Sequence, residues 1–113
     1  MIKRISLLTR KPEFTSDAFR RHWRDIHGPL AQRVPGVRRY VQHHVVDTTG
    51  HPDLPPADHA YDGIVELWFD DAAAMETALA TPEAKAMFAD GTLFIGSVTS
   101  YIVESEVLVG AEI

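Results

Sequence analysis

Polar and apolar residues alternate from Lys3 to Thr9, with Ile5 and Leu7 on one face and Arg4, Ser6 and Leu8 on the other. A period of two marks a strand, because successive side chains leave a pleated backbone on opposite sides. Lys11 to Phe14 reads as a turn, with Pro12 fixing one torsion. The spacing then becomes helical: Phe19, Trp23, Ile26 and Leu30 recur at gaps of four, three and four. Thr15 or Ser16 can cap that helix by accepting a first-turn amide, and with Thr15 as cap Phe14 and Phe19 have hydrophobic-staple spacing. His27 follows Trp23 by one turn at the edge of the stripe. Gly28 and Pro29 interrupt the helix there, since proline lacks a donor and restricts its predecessor. Leu30 to Val34 continues as an irregular turn that Pro35 and Gly36 stop.

Val37 to Val46 is a second strand, with Tyr40, Gln42 and His44 on one face and Arg39, Val41 and His43 on the other. The segment from Asp47 to Asp62, carrying Pro52, Pro55, Pro56 and Gly50, is a long loop. Gly63 to Phe69 is a third strand in which Val65, Leu67 and Phe69 suit a face covered by helices and Ile64, Glu66 and Trp68 the opposite one. Asp70 or Asp71 caps a second helix, and Thr81 with Pro82 restarts it after a jog. Asp90 and Gly91 end this segment, Thr92 to Gly96 connect, and Ser97 to Val109 form a fourth strand.

The order is βαββαβ, an α+β ferredoxin-like sandwich with two helices on one face of the sheet. The expectation is a single domain over residues 1–113. Its other face displays Tyr40, Trp68 and Ile64 among polar groups. Exposed aromatics of that kind mark a contact surface. A second copy packed there would give a homodimer with a shared, dimeric α+β barrel.

Composition narrows the function. Hydrophobic residues make up 45% of the chain and the formal charge is -5. That balance disfavours nucleic acid and anionic membranes as partners, although Arg20, Arg21, Arg24, Arg33, Arg38 and Arg39 cluster locally. With no cysteine, disulfides, thiolate metal sites and cysteine nucleophiles are excluded, and a cytoplasmic location fits. No apolar run reaches the ~20 residues that span a bilayer. The N-terminus meets Arg10, Lys11 and Pro12 before any signal-like apolar core forms, so it reads as the first strand.

The pattern F-x-x-H-W-x-x-x-H-G-P-L from Phe19 to Leu30, followed by Val34-Pro35-Gly36 and Arg39-Tyr40, resembles the EthD-like family. Tyr61-Asp62-Gly63, Glu66-Leu67-Trp68-Phe69 and Ala89-Asp90 near Phe94 extend the likeness over nearly the whole chain. The resemblance implies a dimeric α+β barrel of four-stranded subunits, each with a cleft between sheet and helices. Some relatives isomerise methyl-substituted muconolactones, and others accompany ether-degrading cytochrome systems. In the isomerases the histidine of the H-G-P motif, here His27, lies in the cleft, and Tyr40 matches a pocket-lining strand tyrosine. Those enzymes also use a cysteine, which this chain lacks.

The candidate chemistry is cofactor-free proton transfer. A histidine beside a semi-apolar cleft can titrate near neutrality and move a proton next to a carbonyl. Tyr40 can stabilise the oxygen on which charge develops. If strand parity puts Glu66 and Trp68 beside Tyr40, Gln42 and His44, then His44 and Glu66 can form an acid–base or orienting pair. The expected catalytic residues are His27, Tyr40 and His44; Trp23, Gln42, Glu66, Trp68 and Phe94 are expected to contact substrate. The alternative for His27 is a helix-ending group bonded to a carbonyl. For the sheet face it is a buried polar network, and for the aromatics plain core.

Six histidines are present without metal-binding spacing, and His43 and His44 must point to opposite faces, so no metal and no other cofactor is expected. Phosphate-cradling and dinucleotide motifs are absent. The expected ligand is a small, mostly apolar molecule bearing carbonyl or carboxylate groups. The chain then acts on it as an isomerase, cyclase or dehydratase in catabolism or secondary metabolism. The alternatives are a non-catalytic accessory protein of an oxygenase pathway and a purely structural dimer.

Overall fold

In the computed structural model, whose described residues are 1–110, the chain runs β1 (Ile2–Arg10), α1 (Ser16–His22), a π-helical turn (Trp23–His27), α2 (Gly28–Gln32), β2 (Arg39–His44), β3 (Gly63–Phe69), α3 (Ala72–Leu79), α4 (Pro82–Phe94) and β4 (Ile95–Val103). The βαββαβ expectation therefore describes the element order, with the first helical region in three parts and the second in two. The expected single domain also includes residues 111–113, which lie outside the described residues. The helix starts follow the capping chemistry. Thr15 accepts from the Ala18 amide at 3.1 Å, Asp71 from Ala74 at 2.7 Å and Thr81 from Ala84 at 3.2 Å.

The four strands form one antiparallel sheet in the order β2-β3-β1-β4. This corrects the barrel expectation. β2 and β4 lie at opposite edges with two strands between them, so the sheet is open and not closed into a barrel. An α+β ferredoxin-like sandwich remains, with the helices on one face.

The register corrects the assignment of faces on β2. Tyr40, Gln42 and His44 stand opposite Leu67, Val65 and Gly63, whereas Arg39, Val41 and His43 stand opposite Trp68, Glu66 and Ile64. Tyr40, Gln42 and His44 thus share the helix-covered face with Val65 and Leu67. Glu66 and Trp68 lie on the other side. Directly paired residues in an antiparallel sheet point the same way, so parity along each strand is right and the relation between the two strands is reversed.

The first helix holds the second correction. Pro29 does not stop it. Its missing amide and the bulk of its ring disturb an α-helix, and a wider turn over Trp23–His27 carries the chain past it: Gly28 N–H reaches back five residues to the Trp23 carbonyl. The extra residue rotates the apolar stripe. Phe19, Trp23, His27 and Ala31 are buried, whereas Ile26 is 53% exposed. The last helix runs on through Asp90 and Gly91 to Phe94, and β4 begins at Ile95 and ends at Val103, earlier than alternation suggested.

The core comprises two clusters. Ala31, Val34, Leu67, Phe69, Ala78, Ala84 and Met87 form one, and Leu8, Phe19, Trp23 and Phe94 the other. Phe14 packs against the second cluster, as staple spacing requires. Full burial of a side chain such as Phe19 contributes about 1.5–3 kcal/mol.

Candidate functional site

The helix-facing side of the sheet is laid out in cross-strand rows. Tyr40, Leu67, Arg4 and Ile102 form one row, Gln42, Val65, Ser6 and Ser100 the next, and His44, Gly63, Leu8 and Val98 the third. Over the third row lies Trp23. A Cβ on Gly63 would come within 2.5 Å of Trp23 Cζ3, so the indole occupies the space that any larger residue would need. The two core clusters do not fill the gap between sheet and helices. A cavity of about 300 Å³ remains between them, floored by Arg4, Ser6, Tyr40, Val65 and Leu67, walled by Trp23, and covered by His27, Met87, Phe88, Gly91 and Thr92. Its size suits a small organic ligand.

His27 enters from the end of the π turn. Its Nδ1 lies 2.9 Å from Asp90 Oδ2, and both Asp90 oxygens lie 3.1 Å from His22 Nε2. The three side chains are only 9–16% exposed. A carboxylate only accepts, so the proton shared with Asp90 sits on Nδ1 and a neutral His27 keeps its lone pair on Nε2. Among the described residues no hydrogen bond occupies Nε2, and the atom is not sealed from solvent. Burial pushes the His27 pKa below the ordinary histidine value; the Asp90 hydrogen bond and charge oppose that shift, and His22 adds to it. The neutral, proton-accepting form is therefore favoured at neutral pH.

A second network braces the wall. Gln42 Nε2 donates to the Trp23 carbonyl at 2.8 Å and to the Tyr40 hydroxyl oxygen at 2.6 Å. Because the carbonyl can only accept, the amide orientation is fixed, and Gln42 Oε1 must accept from His44 Nε2 at 3.0 Å. Tyr40 Oη already accepts from Gln42, which leaves its own proton for a partner. Burial raises the Tyr40 pKa, against a smaller opposing effect of the Gln42 hydrogen bond, and so keeps it a donor. His44 packs against Trp23 with ring centroids 4.6 Å apart and planes tilted by 45°, and burial lowers its pKa, followed by the charges of Arg20 and Arg24.

The structure thus brings His27, Tyr40 and Trp23 to one cavity, with Gln42 and His44 behind its wall. The expected His44–Glu66 pair does not form. His43 instead binds Glu66 on the open face, where Glu66 Oε1 also accepts from Trp68 Nε1 at 3.3 Å. Lys3 Nζ lies 3.9 Å above the Trp68 ring. Glu66 and Trp68 are therefore separated from the cavity by the sheet. Phe94 is fully buried, does not line the cavity, and packs against the rings of His22 and His27 at 4.4 and 5.2 Å. Among the described residues no three acidic or histidine side chains are grouped to hold a metal ion.

Sequence reasoning passed over Asp90, His22 and Arg4. Arg4 carried a usable signal, because its parity with Ser6 and Leu8 placed a charge on the strand face that also carries Leu8. The partnership of His27 with Asp90 spans 63 positions and carried none.

The EthD domain family model matches residues 11–97. A protein of Rhodococcus erythropolis, described as an uncharacterised 11.0 kDa protein in the thcB–thcC intergenic region, is 31% identical over 90 residues, covering 79% of this chain and 82% of its own. Among solved structures, an ethyl tert-butyl ether D (EthD) family protein of Bacillus halodurans is 30% identical with a TM-score of 0.75, covering 94% of this chain and 99% of that one. A dimeric ferredoxin-like protein of unknown function from Thermobifida fusca is similar in fold, with a TM-score of 0.66 at 18% identity over 90% of this chain and 88% of its own.

Proposed function

Since the chain belongs to the EthD family, we propose that its cavity binds a small, mostly apolar carbonyl-bearing molecule and moves a proton on it without a cofactor. The single observation that carries the proposal is the Asp90–His27 pair, which presents an unpaired Nε2 at a cavity of mostly apolar lining. In this reading His27 takes a proton from carbon beside the carbonyl. Asp90 holds the ring and stabilises the imidazolium that results, and Tyr40 O–H donates to the oxygen where negative charge builds. Return of the proton from His27 to a different carbon completes an isomerisation with no net change in oxidation state. Cyclisation or dehydration needs the same first step.

A second copy of the chain is included in the proposal as partner, and the cytoplasm as its setting. The open sheet face supports the former, because it carries a 53% exposed Tyr101 and the Thermobifida fusca protein of similar fold is described as dimeric; Trp68 on that face is already buried, at 7% exposure, against the expectation of an exposed aromatic.

The test is solvent deuterium incorporation into a panel of lactones, phenols and aromatic ketones, followed by proton NMR. At least one compound should exchange, and His27→Asn should slow that exchange by about 10²–10⁴-fold, the range for a positioned acid–base group. Saturable binding without exchange would instead support a non-catalytic accessory protein, a reading that the missing cysteine favours.

A further inference from the structure

Arg4 projects from the middle of β1 into the same cavity, between Leu67 and Ile102 in its cross-strand row. It differs from the other arginines that the structure pairs. Arg38 binds Asp70 at 2.8 Å and Arg24 binds Asp25 at 2.8 Å, both at the exposed surface, and Arg10 lies 3.5 Å from Asp62. Among the described residues Arg4 finds no ion-pair partner and no hydrogen-bond partner for its side chain. It is the single Lys or Arg among the lining residues, and the lining holds no Asp or Glu. A half-buried guanidinium in apolar surroundings without a counter-charge is costly. Burial accordingly pulls its pKa below the ordinary arginine value, while leaving it charged at any physiological pH.

We propose that Arg4 is an anion anchor and that the ligand of this cavity carries one carboxylate. The proposal rests on the reading of the cavity as a small-molecule site and specifies the class of molecule. A guanidinium matches a carboxylate with two parallel hydrogen bonds. The row next to Arg4 adds a further donor. Ser6 and Ser100 share a hydrogen bond of 2.7 Å, which uses one of their two hydroxyl protons and leaves the other for the ligand. A monoanion is favoured over a phosphate dianion, because Arg4 is the one fixed cation in the lining and a second charge would stay uncompensated in an apolar space. The floor also sets an orientation. Tyr40 stands in the row of Arg4 two strands away, about 10 Å between backbones at the usual strand spacing. A ligand held by its carboxylate at Arg4 thus extends across Leu67 toward Tyr40 with its opposite end beneath His27.

Binding of matched pairs tests this by calorimetry: 4-methylbenzoate against 4-methylbenzamide, and cinnamate against cinnamamide, with inorganic phosphate as a third arm. In the wild type each carboxylate should bind about tenfold or more tighter than its amide, a modest expectation for a hydrogen bond to a charged group. Arg4→Gln should reduce that ratio to near one without weakening the amide, and Arg4→Lys should retain part of it. Equal binding of acid and amide, a preference that survives Arg4→Gln, tighter binding of phosphate, or no binding of either carboxylate would overturn the assignment. Thermal melts of both variants check that the fold is kept. The failure of the proton-transfer reading is visible elsewhere, as exchange that does not depend on His27, and it leaves the acid-to-amide ratio untouched.

Discussion

Asp90 Oδ2 sits 2.9 Å from His27 Nδ1, joining the last helix to the end of a wide turn in the first. The same carboxylate takes His22, so one acid fixes two imidazoles. The pairing makes a directional prediction. Asp90 holds the His27 pKa up against burial; without the charge, burial acts unopposed. In Asp90→Asn, His27 should therefore titrate at lower pH than in the wild type. Ring-nitrogen NMR should show the Nδ1–H tautomer in the wild type and a mixture in Asp90→Ala. An unchanged titration in Asp90→Asn would remove Asp90 from its positioning role.

The depressed His27 pKa is also a statement about stability. Unfolded, His27 titrates near its ordinary value of about 6.5; folded, it titrates lower. Between the two values the unfolded chain binds a proton that the folded chain does not, so stability rises with pH across that window. It is fully present above about 6.5 and is lost on acidification toward the folded value. His44, shifted in the same direction, adds to this slope. Urea unfolding from pH 5 to 8 should show the loss, and His27→Gln should flatten it.

Gly63 has no room for a methyl group. A Cβ added there would meet Trp23 at 2.5 Å and 2.7 Å, and Trp23 is 1% exposed, so the indole cannot step aside into solvent. Gly63→Ala should cost about 1–3 kcal/mol as an overpacking change, read as a lower urea midpoint. Gly50, where an added Cβ would have nothing within 4 Å, is the control. Gly50→Ala should be close to neutral. Equal midpoints for the two variants would contradict the packing argument.

Gln42 is predicted to be intolerant of its own isostere. Its amide nitrogen donates to the Trp23 carbonyl and to Tyr40, and a carboxylate in its place has no proton to give. Gln42→Glu should lose about 1–3 kcal/mol at neutral pH, because it sets a half-buried carboxylate against the Trp23 carbonyl where an N–H now donates. The side-chain volume hardly changes, so a wild-type denaturation midpoint in this variant would show that the brace is not structural.

The parts of this fold that were legible in the sequence depend on local chemistry. Thr15, Asp71 and Thr81 cap helices because a hydroxyl or carboxylate near three unpaired amides needs no information from elsewhere. The limits of β3 follow from seven residues and the turn signals around them. What failed depended on partners far along the chain. The face of Tyr40, Gln42 and His44 is fixed by their pairing with Leu67, Val65 and Gly63, and parity within β2 cannot supply it. Ile26 was misplaced by the assumption of a uniform helical period. The H-G-P and R-Y motifs single out His27 and Tyr40, and both line the cavity. Asp90, which orients His27, becomes meaningful only when α4 crosses the first helix.

The wide turn at Trp23–His27 separates two stretches of helix that are out of step. Each residue of an α-helix advances the chain by about 100°, so a surplus residue resets the clock for everything after it. Deleting Arg24 or Asp25 would remove no buried group, since both are exposed. With one residue fewer, the hydrogen bond from Gly28 to Trp23 can close to the ordinary α-helical span, and His27 keeps its place opposite Asp90. The wide turn thus stores one residue more than the path of the helix requires, and the site tolerates its loss.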